Sequence, residues 1–267
     1  SSLRRYRIRW GLHLPKFLQK KYCGCAQECR FRLTVIGVPT MSNAKYQVNP
    51  LPEQIGEEEL ATLEGVETAT IGHFRMLGFA SPAIRPLRTG WSIRGTAITL
   101  ALPGWDSTLL HHVVSLVRPG DVLVIDRLGD GTVSCLGGGV SYALAKAGVR
   151  AAIIDGPCND PYEILDYDFP VWSRGVSPIT TRLYNTGGAF NVPISVGGAV
   201  VQPGDAVLAD DNGAVFFPRE DIVETASRAL ELQRLEKAGL PTLSRDNPLG
   251  AMTGASQMVL ASLESAK

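Results

Sequence analysis

Past residue 56 the chain switches between two hydrophobic periods. Leu60, Leu63, Val66, Ile71 and Phe74 recur at helical spacing behind Glu57, Glu58 and Glu59, so a helix is predicted over 57–78. Its acidic start suits the positive end of a helix dipole. Residues 81–90 are rich in Pro and Gly and read as a loop. Residues 95–102 alternate like a strand, and 107–117 carry a short helical period. The turn Pro119-Gly120-Asp121 leads into an apolar strand at 122–126. Gly137-Gly138-Gly139 opens a helix over 140–147, capped by Gly148, and 149–154 is a buried strand.

An acidic turn, Asp155-Gly156-Pro157-Cys158-Asn159-Asp160, closes that strand, and 170–172 form another short one. The Pro-Gly-Asp turn recurs at Pro203-Gly204-Asp205 before an apolar strand at 206–209. Asp210-Asp211-Asn212-Gly213 makes a hairpin turn, and 214–217 return. An amphipathic helix is expected over 220–237, and the tail beyond Gly239 is loop-like with room for a last helix. The pattern is that of one α/β domain with mixed sheets.

Composition changes this picture only at the N-terminus. Of 267 residues, 45% are hydrophobic and 19% charged, an ordinary globular balance with zero net charge. That balance argues against nucleic acid held by bulk electrostatics. The charge is uneven, however. Residues 1–40 hold nine Lys/Arg against the single acid Glu28, a net of +8, and three of the five cysteines, Cys23, Cys25 and Cys29. Three readings stay open: an Arg-rich transit peptide, a basic arm, or an extension outside a fold that starts at Met41 and runs over 41–267. The three cysteines lack a fourth ligand nearby. Cys135 and Cys158 stand apart, as in a reduced, cytoplasmic protein; an organellar location follows instead if 1–40 is a transit peptide. No run of about 18 apolar residues is present, so no membrane span is expected.

Two features carry chemistry. The free N–H groups of a glycine turn at a helix start suit a carboxylate or phosphate; the plain alternative is a tight turn feeding a helix. No Gly-Lys-Ser/Thr follows, so this is no Walker loop. Asp155 and Asp160 bracket a turn at a strand's carboxyl end, where open α/β sheets place ligands. With Asn159 they offer hard oxygens for Mg²⁺ or Mn²⁺; the plain alternative is a turn with capping aspartates.

The stretch LGGGVSYALAKAGVRAAIIDGPCND, flanked by RPGDVLVID and PGDAVLADDNGAVFFP, resembles the core of the RraA-like family over roughly residues 57 to 238. That family includes 4-hydroxy-4-methyl-2-oxoglutarate (HMG) aldolases, oxaloacetate decarboxylases and regulators that bind a ribonuclease. The resemblance implies a swivelling β/β/α fold with flanking helices, assembled as homotrimers or pairs of trimers with sites between subunits. It implies that Gly137, Gly138, Gly139 and Val140 hold a substrate carboxylate through backbone N–H groups and that Asp160 binds Mg²⁺ or Mn²⁺. The implied activity is a metal-dependent lyase acting on small 2-oxo acids through a pyruvate enolate, with Asn159, Asp160 and Asp155 as the catalytic group. The implied alternative is a non-catalytic regulator.

Two positions depart from the family pattern. Asn159 stands where the aldolases carry an Arg that steadies the enolate, and Gly138 stands where family enzymes usually carry an acid. A neutral donor stabilises developing charge less than a cationic one. Arg127 and Arg174 are the cations that tertiary structure can bring in as substitutes. His111, His112 and His73 are lesser catalytic candidates. Asp210 and Asp211 read as turn chemistry, and Cys158 as a small filler.

Overall fold

The apolar runs before the two candidate turns become neighbouring parallel strands at the sheet centre, as segments without a polar face must. The computed structural model describes residues 44–265, which fall in one unit. The basic segment 1–40, with Cys23, Cys25 and Cys29, lies outside the described residues. The strands are β1 (Tyr46–Val48), β2 (Arg85–Pro86), β3 (Ile93–Ala101), β4 (Asp121–Asp126), β5 (Ala151–Ile154), β6 (Val171–Ser173), β7 (Gly188–Phe190), β8 (Ile194–Val196), β9 (Ala199–Val201), β10 (Ala206–Asp210) and β11 (Gly213–Phe217). The helices are α1 (Glu57–Ala61), α2 (Thr68–Ile71), α3 (Thr108–Val113), α4 (Gly138–Lys146), α5 (Pro161–Asp166), α6 (Ile222–Gly239), α7 (Leu249–Met252) and α8 (Ala255–Ser265).

A nine-stranded mixed sheet runs β1-β7-β3-β4-β5-β6-β2. Strands β3 to β6 are parallel, whereas β7 and β10 both pair antiparallel with β3, β10 at its first half and β7 at its end. Strand β11 pairs with β10, and β8 with β9 in a separate ribbon. Alternate residues of the parallel strands point to opposite layers. Ile98, Leu123, Ile125 and Ile154 pack under α3, α4 and α5 with Leu110, Leu144 and Ile164. Ala97, Val122, Val124 and Ile153 pack on the other face against Trp172, Val196, Val207 and Phe216. A third cluster seats Leu60, Leu63 and Ile71 against Leu208, Phe217 and Ile222. This is the mixed α/β architecture expected, with helices flanking the sheet.

Two predicted helices are shorter than their periods suggest. The span 57–78 is two short helices, α1 and α2, broken at Gly65, whose φ of 73° no continuing helix allows. Leu60, Leu63, Val66 and Ile71 are nevertheless all buried, so the period reported burial correctly and continuity wrongly. The span 107–117 ends as a helix at Val113. Gly148, with φ 79°, closes α4 as read.

Residues 174–187 form a strap across the carboxyl ends of the parallel strands. Its backbone bonds in turn to Cys158 (from Ser177, 2.9 Å), Ser134 (from Thr181, 3.0 Å) and Trp105 (from Arg182, 2.8 Å). The buried carboxylate of Asp106 ties this strap to α3. It accepts from Thr108 N (2.9 Å) and Thr108 Oγ1, and from Tyr184 N (3.0 Å), Thr186 N (2.6 Å) and Thr186 Oγ1 (2.8 Å). Burial by itself would raise its pKa, but the hydrogen bonds from Thr108 and Thr186 outweigh that and hold the carboxyl well below the usual carboxylate range.

A depressed folded pKa contributes stability that is complete above the unfolded value of about 4 and is lost as pH falls below it. Urea unfolding of the wild type should therefore show stability draining away below about pH 4. The Asp106→Asn variant should lose about 2–3 kcal/mol at neutral pH, because buried N–H donors lose a charged acceptor. Its acid-side slope should be shallower than that of the wild type.

Candidate functional site

Helix α4 begins where the loop from β4 meets the turn from β5. Its first three N–H groups find different fates. The Gly138 N–H donates to Oδ2 of Asp160 at 3.1 Å. The N–H groups of Gly139 and Val140 meet no protein acceptor among the described residues, and both residues line a cleft of about 340 Å³. The turn is thus half satisfied from within and half open to a ligand.

Asn159 is held at its backbone N–H and at both atoms of its amide head. Its N–H donates to Leu136 O (3.0 Å), its Nδ2 to Asp160 Oδ2 (2.6 Å), and its Oδ1 accepts from Ser134 Oγ (2.6 Å). Asp160 caps α5 with φ 52°, a left-handed conformation that Asp tolerates better than most residues. Its exposed carboxylate lies over the glycine turn; Oδ1 takes no hydrogen bond in the described structure. The glycines make room for these groups. A Cβ at Gly137 would fall 2.6 Å from Asp160 Oδ2 and 2.7 Å from Asn159 Cγ.

Gly138 has a more particular neighbour. A Cβ there would start inside the Glu163 carboxylate, with Cδ at 2.7 Å and the Glu163 Cβ at 3.0 Å. The turn lacks an acid of its own, yet a carboxylate from α5 occupies the space above it. Sequence reading missed Glu163; its position three residues past Asp160 on a short helix was the available signal.

The remaining candidates divide. Gly137, Gly139, Val140, Asn159 and Asp160 share the cleft with His111, Ser107 and Cys135, and the strap brings Thr180 and Thr181 to it. Asp155 does not line it. Its carboxylate pairs with Arg174 Nε and accepts from Gly197 N at 2.7 Å. Neither arginine substitute lines the cleft. Arg174 is engaged by Asp155, and Arg127 is fully buried behind the cleft wall, with one Nη bonded to Gly104 O and its Nε and other Nη unpartnered. His112 and His73 are exposed elsewhere. Asp210 accepts from Asn212 N within its turn, but it also accepts from Thr68, and Asp211 accepts from Gly90 N, so both aspartates tie the hairpin turn to distant segments. Cys158 is buried beside Ser173, and burial pushes its thiol up. Cys135 is pushed up by burial to about 11, against the opposing charge of Arg127.

Residues 67–216 match the family model RraA-like, described as Aldolase/RraA. A Halalkalibacterium halodurans protein named "Putative 4-hydroxy-4-methyl-2-oxoglutarate aldolase" is 30% identical over 149 residues, 54% of this chain and 70% of that protein. A protein of the same name from Deinococcus radiodurans is 28% identical over 53% of this chain and 87% of its own length. The crystal structure of Streptomyces coelicolor RraAS2, described as an unusual member of the RNase ES inhibitor RraA protein family, superposes with a TM-score of 0.64 at 28% identity. It spans 70% of this chain and 98% of that one.

The crowding at the turn has a measurable consequence. Gly137→Ala should cost about 1–3 kcal/mol in chemical denaturation, because Asn159 is pinned by Leu136 and Ser134 and cannot give way. Gly138→Ala should cost about 1 kcal/mol, since the Glu163 carboxylate can swing aside but its Cβ, 3.0 Å from the added methyl, can only shift with α5.

Proposed function

We propose that this chain, which belongs to the RraA-like family, is a divalent-metal-dependent lyase that cleaves or decarboxylates small 2-oxo acids through a pyruvate enolate. The observation that carries the reading is the open cleft in which the free N–H groups of Gly139 and Val140 sit beside the exposed carboxylate of Asp160. The N–H pair suits the substrate carboxylate, being the unfilled positive end of a nine-residue helix.

The donor set fits a hard cation. Mg²⁺ characteristically takes one or two carboxylates and keeps its remaining positions for water and substrate. Asp160 and Glu163 both stand over the glycine turn, while no group of three metal-ligating side chains occurs among the described residues. Electrostatics point the same way. No Lys or Arg lines the cleft, so two carboxylates at its mouth would repel an anionic substrate unless a cation neutralised them. Bound there, Mg²⁺ or Mn²⁺ would supply the positive charge that an enolate oxygen needs. Asp160 would hold it, with Glu163 beside it; Gly139 and Val140 would orient the substrate, and Asn159 would fix the Asp160 carboxylate. In this reading Asp155 orders the outer side of the turn through Arg174.

Apolar side chains left exposed on the strap and its neighbours, Trp105, Val176, Ile179 and Leu183, support self-association of the chain, which the family resemblance implies to be a trimer or a pair of trimers. Among the described residues no helix is long and apolar enough to cross a membrane.

A second reading, a protein-binding regulator without catalysis, draws on one observation. Asn159 has its Oδ1 and one of its two Nδ2 hydrogens engaged within the chain, so it offers a substrate one uncharged donor and no positive charge. The assay that separates the two is pyruvate release from oxaloacetate and from HMG with Mg²⁺ or Mn²⁺. The lyase reading expects metal-dependent release that drops by about 10²-fold or more in Asp160→Ala. Absence of release with either metal, in a protein that folds, would exclude it in favour of the regulator.

A further inference from the structure

We propose that His111 is the proton-carrying catalytic residue of the cleft; the inference rests on the 2-oxo-acid reading above. Ser107, His111 and Val114 all line the cleft and stand at i, i+4 and i+7, so one face of α3 and its flanks forms the wall opposite the glycine turn. Asp106 fixes that wall through Thr108 at the start of α3. His112, one residue on, leaves this face.

Elimination singles out His111. The ionisable side chains lining the cleft are His111, Cys135 and Asp160. The buried Cys135 thiol keeps its proton near neutrality. Asp160 is committed to Gly138 and Asn159, and in the reading above to a cation. Arg127 does not reach the cleft lining, and Arg174 is held by Asp155. Imidazole is the side chain suited to gain and lose a proton near neutral pH, and here it is exposed on the cleft with no hydrogen-bonded side-chain partner among the described residues.

The step balances with this residue alone. With a 4-hydroxy-2-oxo acid in the cleft, a His111 ring nitrogen takes the hydroxyl proton as the C3–C4 bond breaks. The C4–O electron pair closes a new carbonyl, and the C3–C4 pair passes into the enolate of pyruvate. His111 then returns its proton to C3, and pyruvate and the second carbonyl product leave.

The test uses the full chain with Mg²⁺. Proton NMR in D₂O follows exchange of the pyruvate methyl hydrogens, and calorimetry follows binding of oxalate, an enolate mimic. The expected result is exchange by the wild type, a fall of about 10²-fold or more in His111→Gln with oxalate binding kept at wild-type strength, and no change in His112→Gln. Added imidazole should restore part of the exchange in His111→Ala, which a purely structural loss would not allow. Exchange by His111→Gln at the wild-type rate, or a loss matched by lost oxalate binding, would overturn the proposal. A wild type that binds oxalate without exchanging pyruvate overturns it while leaving the oxo-acid site intact. A wild type that does neither overturns both.

Discussion

One buried carboxylate organises the side of the molecule where the chemistry is proposed. Asp106 lies at the end of β3's connection to α3 and takes hydrogen bonds from both α3 and the strap. Five donors converge on two oxygens, so neither partner can drift without stranding a charge in the interior. Through Thr108 it sets the first turn of α3, and with it the direction of His111. Through Tyr184 and Thr186 it anchors the far end of a strap that lays Thr180 and Thr181 on the cleft. Without this interaction the parallel strands would still form, but the wall facing the glycine turn would not be fixed.

The other wall follows a complementary logic, in which glycine receives rather than bends. Neither Gly137 nor Gly138 has positive φ; each is small because another side chain occupies the space its Cβ would need. Asn159 and Asp160 press on the first, Glu163 on the second. The carboxylate that the turn lacks in sequence thereby arrives from α5, and negative charge gathers at the mouth of a helix whose dipole favours it. The protein's own Asp160 saturates one N–H and leaves the next two open, which defines where a ligand's carboxylate can enter.

Asn159, where the family resemblance implies a cation, leaves the cleft without a positively charged side chain of its own. Arg127 and Arg174 are near in sequence to the two turns, but each is drawn away by a structural acceptor, Gly104 O and Asp155. In the proposed reaction, charge for an anionic intermediate would come from a metal ion, from the helix N–H groups and from His111. That is a weaker set than one including a guanidinium, and it is consistent with relatives of this fold that include both aldolases and inhibitors.

The amino-acid sequence by itself determined the sheet centre and one wall of the cleft. Runs such as 122–126 and 149–154 have no polar face and must be buried on both sides, and a glycine turn to Asp160 spans one helix and one strand, so local geometry places its ends together. Helix extent was less legible at 57–78, because a 3.6-residue period marks the buried side of two short helices as well as of one long helix, and only Gly65 marks the break. Tertiary structure alone decided the other wall. The strap contacts residues up to about eighty positions away, Asp106 to Thr186, and carries no period of its own. Glu163 reads as an ordinary surface acid until α5 folds back over Gly138, and His111 and His112 look alike until α3 is docked. These choices depend on which surfaces meet across the sheet, and no local pattern encodes that.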